Sequence, residues 1–99
     1  MGMFDSFLVK HQGQEVEVQS KQFGCFLQHY RMGDFVQLDS ATPYGVQGYV
    51  EDFKLDYRDP DVPCWWCVLV ILNGCFVDYL ICDDKAEARR AEGVMVKLW

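Results

Sequence analysis

Apolar and polar residues alternate with period two through most of the chain, and the alternation divides it into strands. Residues 3–9 are apolar with little interruption and predict a first strand. The His11-Gln12-Gly13 turn joins it to a second over 14–19, where Val16 and Val18 face one way and Glu15, Glu17 and Gln19 the other. Strand-like segments follow over 23–30 and 35–38, the first with Phe23, Cys25 and Leu27 opposite Gly24, Phe26 and Gln28. Turn formers collect over 39–45 and predict a loop. Alternation resumes over 46–57, with Tyr49, Phe53, Leu55 and Tyr57 toward the core and Asp52, Lys54 and Asp56 toward water. Glu51 falls on the apolar side of that pattern, which a bulge or an edge position would accommodate. Two prolines in 59–63 remove ladder donors and make that segment a linker.

The most apolar stretch is 64–82, and it reads as a hairpin around which the rest is built. Asn73-Gly74 is the dipeptide a two-residue type I′ turn prefers, because both central residues need positive φ. That turn pairs Leu72 with Cys75, Ile71 with Phe76, Leu69 with Asp78, Cys67 with Leu80 and Trp65 with Cys82. One face then carries Trp65, Cys67, Leu69, Ile71, Phe76, Asp78, Leu80 and Cys82; the other carries Trp66, Val68, Val70, Leu72, Cys75, Val77, Tyr79 and Ile81. Only Asp78 is charged, so both faces need covering and the hairpin belongs in the middle of a sheet.

After Cys82 the period changes. Asp84 suits an N-cap, Glu87 completes a capping box and Gly93 suits the residue just past the end, which predicts a short helix over 84–92 with Ala86, Ala88 and Ala91 as its apolar surface. Residues 94–99 alternate again and predict a closing strand. The expected fold is therefore α+β and predominantly β, a small antiparallel sheet or partial barrel with a central hairpin (65–82) and one short helix (84–92). Residues 1–99 read as a single domain.

Composition narrows the function classes. The 99 residues are 51% hydrophobic and 15% aromatic, which is globular, and no apolar run reaches the ~18 residues of a membrane span. The segment 1–5 has no basic region and no long apolar region, so a secretory signal is not expected and the cytoplasm is. Five cysteines, an odd number, then imply reduced thiols rather than a disulfide framework. A net charge of −6 disfavours direct nucleic-acid and anionic-membrane binding and tolerates basic partners.

Cys64-Trp65-Trp66-Cys67 is the strongest local constellation, open to zinc, redox and buried-thiol readings. Redox chemistry needs a thiolate of lowered pKa, yet a β-branched strand with no cationic neighbour follows Cys67. For zinc, the hairpin register brings Cys82 near Cys64 and Cys67, while Cys75 at the turn lies about 17 Å away along the strand. Cys64, Cys67 and Cys82 are thus the candidate ligands, with His11, His29 or Cys25 to supply a fourth.

The motifs Met3-Phe4-Asp5, Glu15-Val16-Glu17-Val18-Gln19-Ser20-Lys21, Cys25-Phe26-Leu27, Tyr30 and Gly33-Asp34 resemble a group of small tailed-phage proteins that carry zinc-ribbon-like Cys pairs. The likeness covers about the first third of the chain. It implies phage origin, with Cys64 and Cys67 as a second Cys pair. Where the group has its first Cys knuckle, this chain has Lys10-His11-Gln12-Gly13, so half of a ribbon's ligands are missing.

No nucleophile elbow, phosphate loop or paired-carboxylate motif accompanies His11 and His29, and no enzyme is expected. Consecutive strand residues point to opposite faces, so Trp65 and Trp66 are hard to bury together. An exposed indole, with Trp99 or Tyr57, would anchor a contact with a host or phage protein or with a second copy of the chain. The acidic residues Glu51, Asp52, Asp56, Asp59 and Asp61 offer a different surface, one that imitates a nucleic-acid backbone, although Lys54 and Arg58 interrupt it. Three readings result: a non-enzymatic phage-type protein-binding module, a zinc-ribbon-like protein of nucleic-acid transactions, and an acidic DNA mimic.

Overall fold

The computed structural model describes residues 3–23, 25–36, 45–55 and 58–99. Its elements are β1 (Asp5–His11), β2 (Gln14–Ser20), β3 (His29–Tyr30), β4 (Val46–Phe53), β5 (Trp65–Leu72), β6 (Cys75–Cys82) and α1 (Lys85–Leu98). They build an α+β fold dominated by two three-stranded sheets, ordered β2-β1-β3 and β4-β5-β6. Strands β1 and β2 form a hairpin in which His11 pairs with Gln14, turned by Gln12 at φ 53° and Gly13 at φ 80°. Strand β3 lies parallel to β1. The β3 to β4 connection reaches the other sheet, where Phe35 bridges Cys75.

The main core lies between the sheets. Phe7 of β1 touches Phe23, Tyr30 and Phe76 with ring centroids 5.0, 5.3 and 5.1 Å away, and Val9, Val18, Phe53, Leu69 and Ile71 fill the remaining space. A smaller core on the far face of the second sheet joins Val68, Val70, Cys82 and Ala88, with Trp66, Val77, Ala91 and Met95 at its margin. The central strand β5 therefore has both faces buried, as its apolar run requires.

The Asn73-Gly74 turn forms as expected, with φ of 49° and 86° and Leu72 opposite Cys75. Beyond Ile71 and Phe76 the register departs from the simple hairpin. Val77 is an extra residue, so Val70 pairs with Asp78, Leu69 with Tyr79, Val68 with Leu80, Cys67 with Ile81 and Trp66 with Cys82. The bulge exchanges the faces of the rest of β6. It takes Asp78 out of the main core, where its charge would be uncompensated, and puts Tyr79 and Ile81 there instead.

Three other expectations are corrected. The segment 23–30 is a strand only at His29–Tyr30, because Cys25 and Leu27 adopt positive φ (57° and 59°) and the chain turns the amides of Cys25, Phe26 and Gln28 toward Asp5. The helix does not stop at Gly93, and 94–98 is not a strand: α1 runs to Leu98. Asp84 does cap it, accepting from the Glu87 N–H at 2.7 Å. The alternation of Val94, Val96 and Leu98 is overridden by packing, since α1 rests on β4 at Gly48. A Cβ there would lie 2.5 Å from Glu92 Cγ and 2.9 Å from Val96 Cγ2. Leu55, expected in the core, is exposed. Of the expected 35–38 strand, 37–38 lie outside the described residues, as does most of the 39–45 loop.

Candidate interaction face

The bulge in β6 and the length of α1 together determine where the exposed large hydrophobic residues of the described strands and helix, Leu80, Val94 and Leu98, are placed. After the bulge, Asp78, Leu80 and Cys82 share the face of Val70, Val68 and Trp66, the face the helix covers. The helix sits toward β4, with Glu92 and Val96 over Gly48 and Ala88 and Met95 on the sheet. At about 3.6 residues per turn, Ala91, Val94 and Leu98 then fall on the opposite flank, toward β6. Val94 is 57% exposed and Leu98 80%, and on the neighbouring strand Leu80 is 44% exposed. Trp99, half exposed, closes the end of this strip, its Nε1–H donating to Asp78 Oδ2 at 3.4 Å. The same carboxylate accepts the Tyr79 N–H through Oδ1, so Asp78 both fastens the bulge and holds the indole.

The two adjacent tryptophans point to opposite faces as expected, and both are partly buried. Trp65 packs at the edge of the main core against His11 and Phe53, with centroids 4.8 and 5.8 Å away. Trp66 borders the smaller core, and the Lys85 ammonium stands 5.4 Å from its ring centroid. Tyr57 and Asp56 lie outside the described residues. Asp59 and Asp61 are exposed, and Asp59 Oδ1 spends itself on the Asp61 N–H at 2.9 Å. Glu51 is half-buried on the core side of β4, accepting from Ser20 Oγ at 3.1 Å. Burial raises its carboxyl above the usual range and the negative charge of Asp52 adds to this, while hydrogen bonds from Ser20 and Gln22 oppose the rise.

The candidate metal ligands are separated by the corrected register. Cys67 points into the main core and Cys82 into the smaller one, on opposite faces of the sheet, while Cys64 lies partly buried with Sγ 3.9 Å from Asp52 Oδ2. Among the described residues no three His, Cys, Asp or Glu side chains are grouped to hold a metal ion. Cys25 lies on the loop after β2 and His29 in β3, neither of them in the β5–β6 hairpin. Burial pushes the Cys67 thiol up to about 12, with further contributions from Cys82 and Glu51. Cys82 is also raised, by burial and then by Glu87, Asp84 and Asp83.

One buried charged group escaped the sequence reading altogether. Asp5, fully buried, accepts the backbone N–H groups of Cys25 (2.9 Å), Phe26 (2.9 Å) and Gln28 (3.0 Å). It organises the loop between β2 and β3 around one carboxylate. Its signal was an Asp at the start of an apolar strand.

No family model matches the chain, no curated protein is similar enough to count as a relative, and no solved structure matches its fold. Among the described residues no helix is long and apolar enough to cross a membrane.

Proposed function

We propose that the protein is a non-enzymatic binding module that acts by docking another protein on the strip formed by Leu80, Val94, Leu98 and Trp99. Following the resemblance to small phage proteins, the partner is a host or phage protein and the action is inhibition by occupying its surface. The observation that carries the reading is the indole at the end of the helix: Trp99 stays half exposed while its Nε1–H makes a long hydrogen bond to Asp78, which biases its orientation toward that of an anchor. This moves the anchor from the adjacent tryptophans to the end of the helix. The rest of the strip adds area. Completing the burial of these four side chains is worth roughly 3–7 kcal/mol, against a cost of association of ~4–15 kcal/mol. Apolar contact alone is thus near break-even, and polar complementarity around the strip decides whether a complex persists.

The test is capture from host lysate with the wild-type chain beside Trp99→Ala, Leu98→Asp and, as control, Asp59→Asn. The reading expects one partner held by wild type and control and lost from Leu98→Asp, with Trp99→Ala weakening it by ~2 kcal/mol or more. Equal capture by all four proteins refutes it.

A further inference from the structure

Leu80 belongs to an edge strand, so covering it also covers backbone. Phe76 donates its N–H to the Asp34 carbonyl at 2.9 Å and accepts the Gly33 N–H at 2.7 Å, and the Gly74 carbonyl takes the Val36 N–H at 2.8 Å. Segment 33–36 therefore already lies on this edge as a short antiparallel strand, with Phe35 bridged to Cys75. It leaves the edge through the turn of 31–34, where the Asp34 N–H donates to the Arg31 carbonyl at 3.0 Å. Among the described residues nothing pairs with this side of β6 beyond Phe76. Past the bulge the backbone groups that face away from β5 are those of Tyr79 and Ile81. Asp78 Oδ1 occupies the Tyr79 N–H at 2.8 Å, which leaves the Tyr79 carbonyl and the N–H and carbonyl of Ile81 for another strand.

We infer that the occupant of the strip is an extended segment of the partner, added antiparallel to β6 over 79–82 where 33–36 leaves off, with alternate side chains on Leu80, Val94 and Leu98. The inference rests on the proposed binding function and adds the conformation of the partner. Desolvation decides between a strand and a helix. An occupant that buries Leu80 also takes water from the backbone of the residues on either side of it, and a buried N–H or carbonyl left without a partner is costly. The side of a helix has no free backbone groups to offer, whereas a strand offers a donor and an acceptor at every second residue. On the helix face the added strand enters the corner between Leu80 and the flank of α1, where Val94 and Leu98 are exposed. On its other face alternate side chains point toward a cavity of about 190 Å³ beside Tyr79, lined also by Leu8, Lys10 and Met32. Charge does not choose the segment, since Arg90 and Lys97 lie one turn to either side of Val94 while Asp83, Asp84 and Glu87 lie at the other end of α1. A second copy of the chain is a poorer strand: with one Leu80 set against the other, each Asp78 meets the Cys82 of the other copy, beside Asp83 and Asp84.

The experiment titrates the isotope-labelled full chain with a short peptide, neutral overall, that alternates valine with threonine, lysine and glutamate. Two further peptides carry N-methyl groups on the backbone, one at every valine and the other at every polar residue, and a fourth presents valine and leucine on one face of a stabilised helix. The residue opposite Leu80 shares its face and points its own amide away from β6, so the valine amides are free and those of the polar residues pair with Tyr79 and Ile81. The parent peptide is expected to bind and to slow hydrogen exchange at the Ile81 amide about tenfold or more. Methylation at the valines should leave binding in place, and methylation at the polar residues should weaken it about tenfold or more, as should the helical form. Leu98→Asp should weaken the parent peptide about tenfold or more.

Equal binding of the two methylated peptides, or tighter binding of the helical one, with binding lost in Leu98→Asp, overturns the strand assignment and leaves the binding strip standing. Binding of the parent peptide that Leu98→Asp leaves unchanged overturns both. No binding of the parent peptide, an Ile81 amide that exchanges as fast as before, or self-association of the chain that Leu80→Asp abolishes, each overturns the inference, while capture from lysate still tests the strip.

Discussion

Replacing Asp5 with alanine should come close to unfolding the domain. The carboxylate is fully buried and accepts three backbone N–H groups, two on Oδ1 and one on Oδ2, from the loop before β3, which is also tied to β1 by the Ser6 N–H donating to the Gln28 carbonyl at 2.8 Å. A hydrogen bond to a charged group is worth ~1.5–3 kcal/mol, and a buried donor left without a partner costs ~1–3 kcal/mol. Three such donors set an upper range well above what is measured for single substitutions, since water can enter and the loop can relax. A loss of ~3–5 kcal/mol is expected, a large part of the ~5–15 kcal/mol available to a domain of this kind. Asp5→Asn should cost less, ~1–3 kcal/mol. Its oxygen can still serve Phe26 and Gln28, but its amide then faces the Cys25 N–H, donor against donor. Asp34→Ala is the matched control, because the exposed Asp34 side chain accepts the Arg31 N–H at 2.8 Å, while the backbone carbonyl that accepts the Phe76 N–H is kept. It should cost ~1 kcal/mol or less. Equilibrium urea unfolding measures all three. A loss under ~1 kcal/mol for Asp5→Ala would refute the reasoning, because the three amides would then be satisfied without the carboxylate.

Glu51→Gln should raise the urea midpoint at neutral pH. The folded state holds the Glu51 proton more tightly than the unfolded one, so ionisation at neutral pH works against folding. That penalty is relieved as pH falls through the raised pKa, and the advantage of Gln should vanish near pH ~4. An advantage that does not shrink on acidification contradicts this. In the native protein Cys67 and Cys82 should resist a thiol reagent at neutral pH while the less buried Cys64 reacts, and native mass spectrometry should find less than one zinc per chain. Stoichiometric zinc lost on Cys82→Ser would restore the ribbon reading. Gly74→Val should cost about 1 kcal/mol or more, because a β-branched residue is strained at the positive φ of 86°. An unchanged midpoint would contradict the turn.

The turn at Asn73-Gly74, the strand β5 with two apolar faces, the Asp84 cap and the exceptional position of Glu51 were all legible, because each depends on residues within a turn or a strand of one another. What was missed depends on distant partners. The bulge at Val77 follows from the cost of pointing Asp78 into a core supplied by β1 and β2. The extension of α1 through Gly93 follows from the close approach at Gly48, about half the chain away, and local alternation misassigned Val94 and Leu98 as strand. The loop after β2 looked like a strand from its alternation, but its amides are satisfied by Asp5, across a hairpin. These misassignments hid the strip, which needs both the bulge and the last turns of the helix.

The central claim is that this strip is where the protein meets a partner, and methyl NMR of the full chain tests it most directly. On addition of the partner captured from host lysate, the account predicts that the methyl signals of Leu80, Val94 and Leu98 and the indole N–H of Trp99 shift together, while those of Leu55 and Val62 stay in place. Shifts confined to the 51–62 segment, with the strip unmoved, would contradict it.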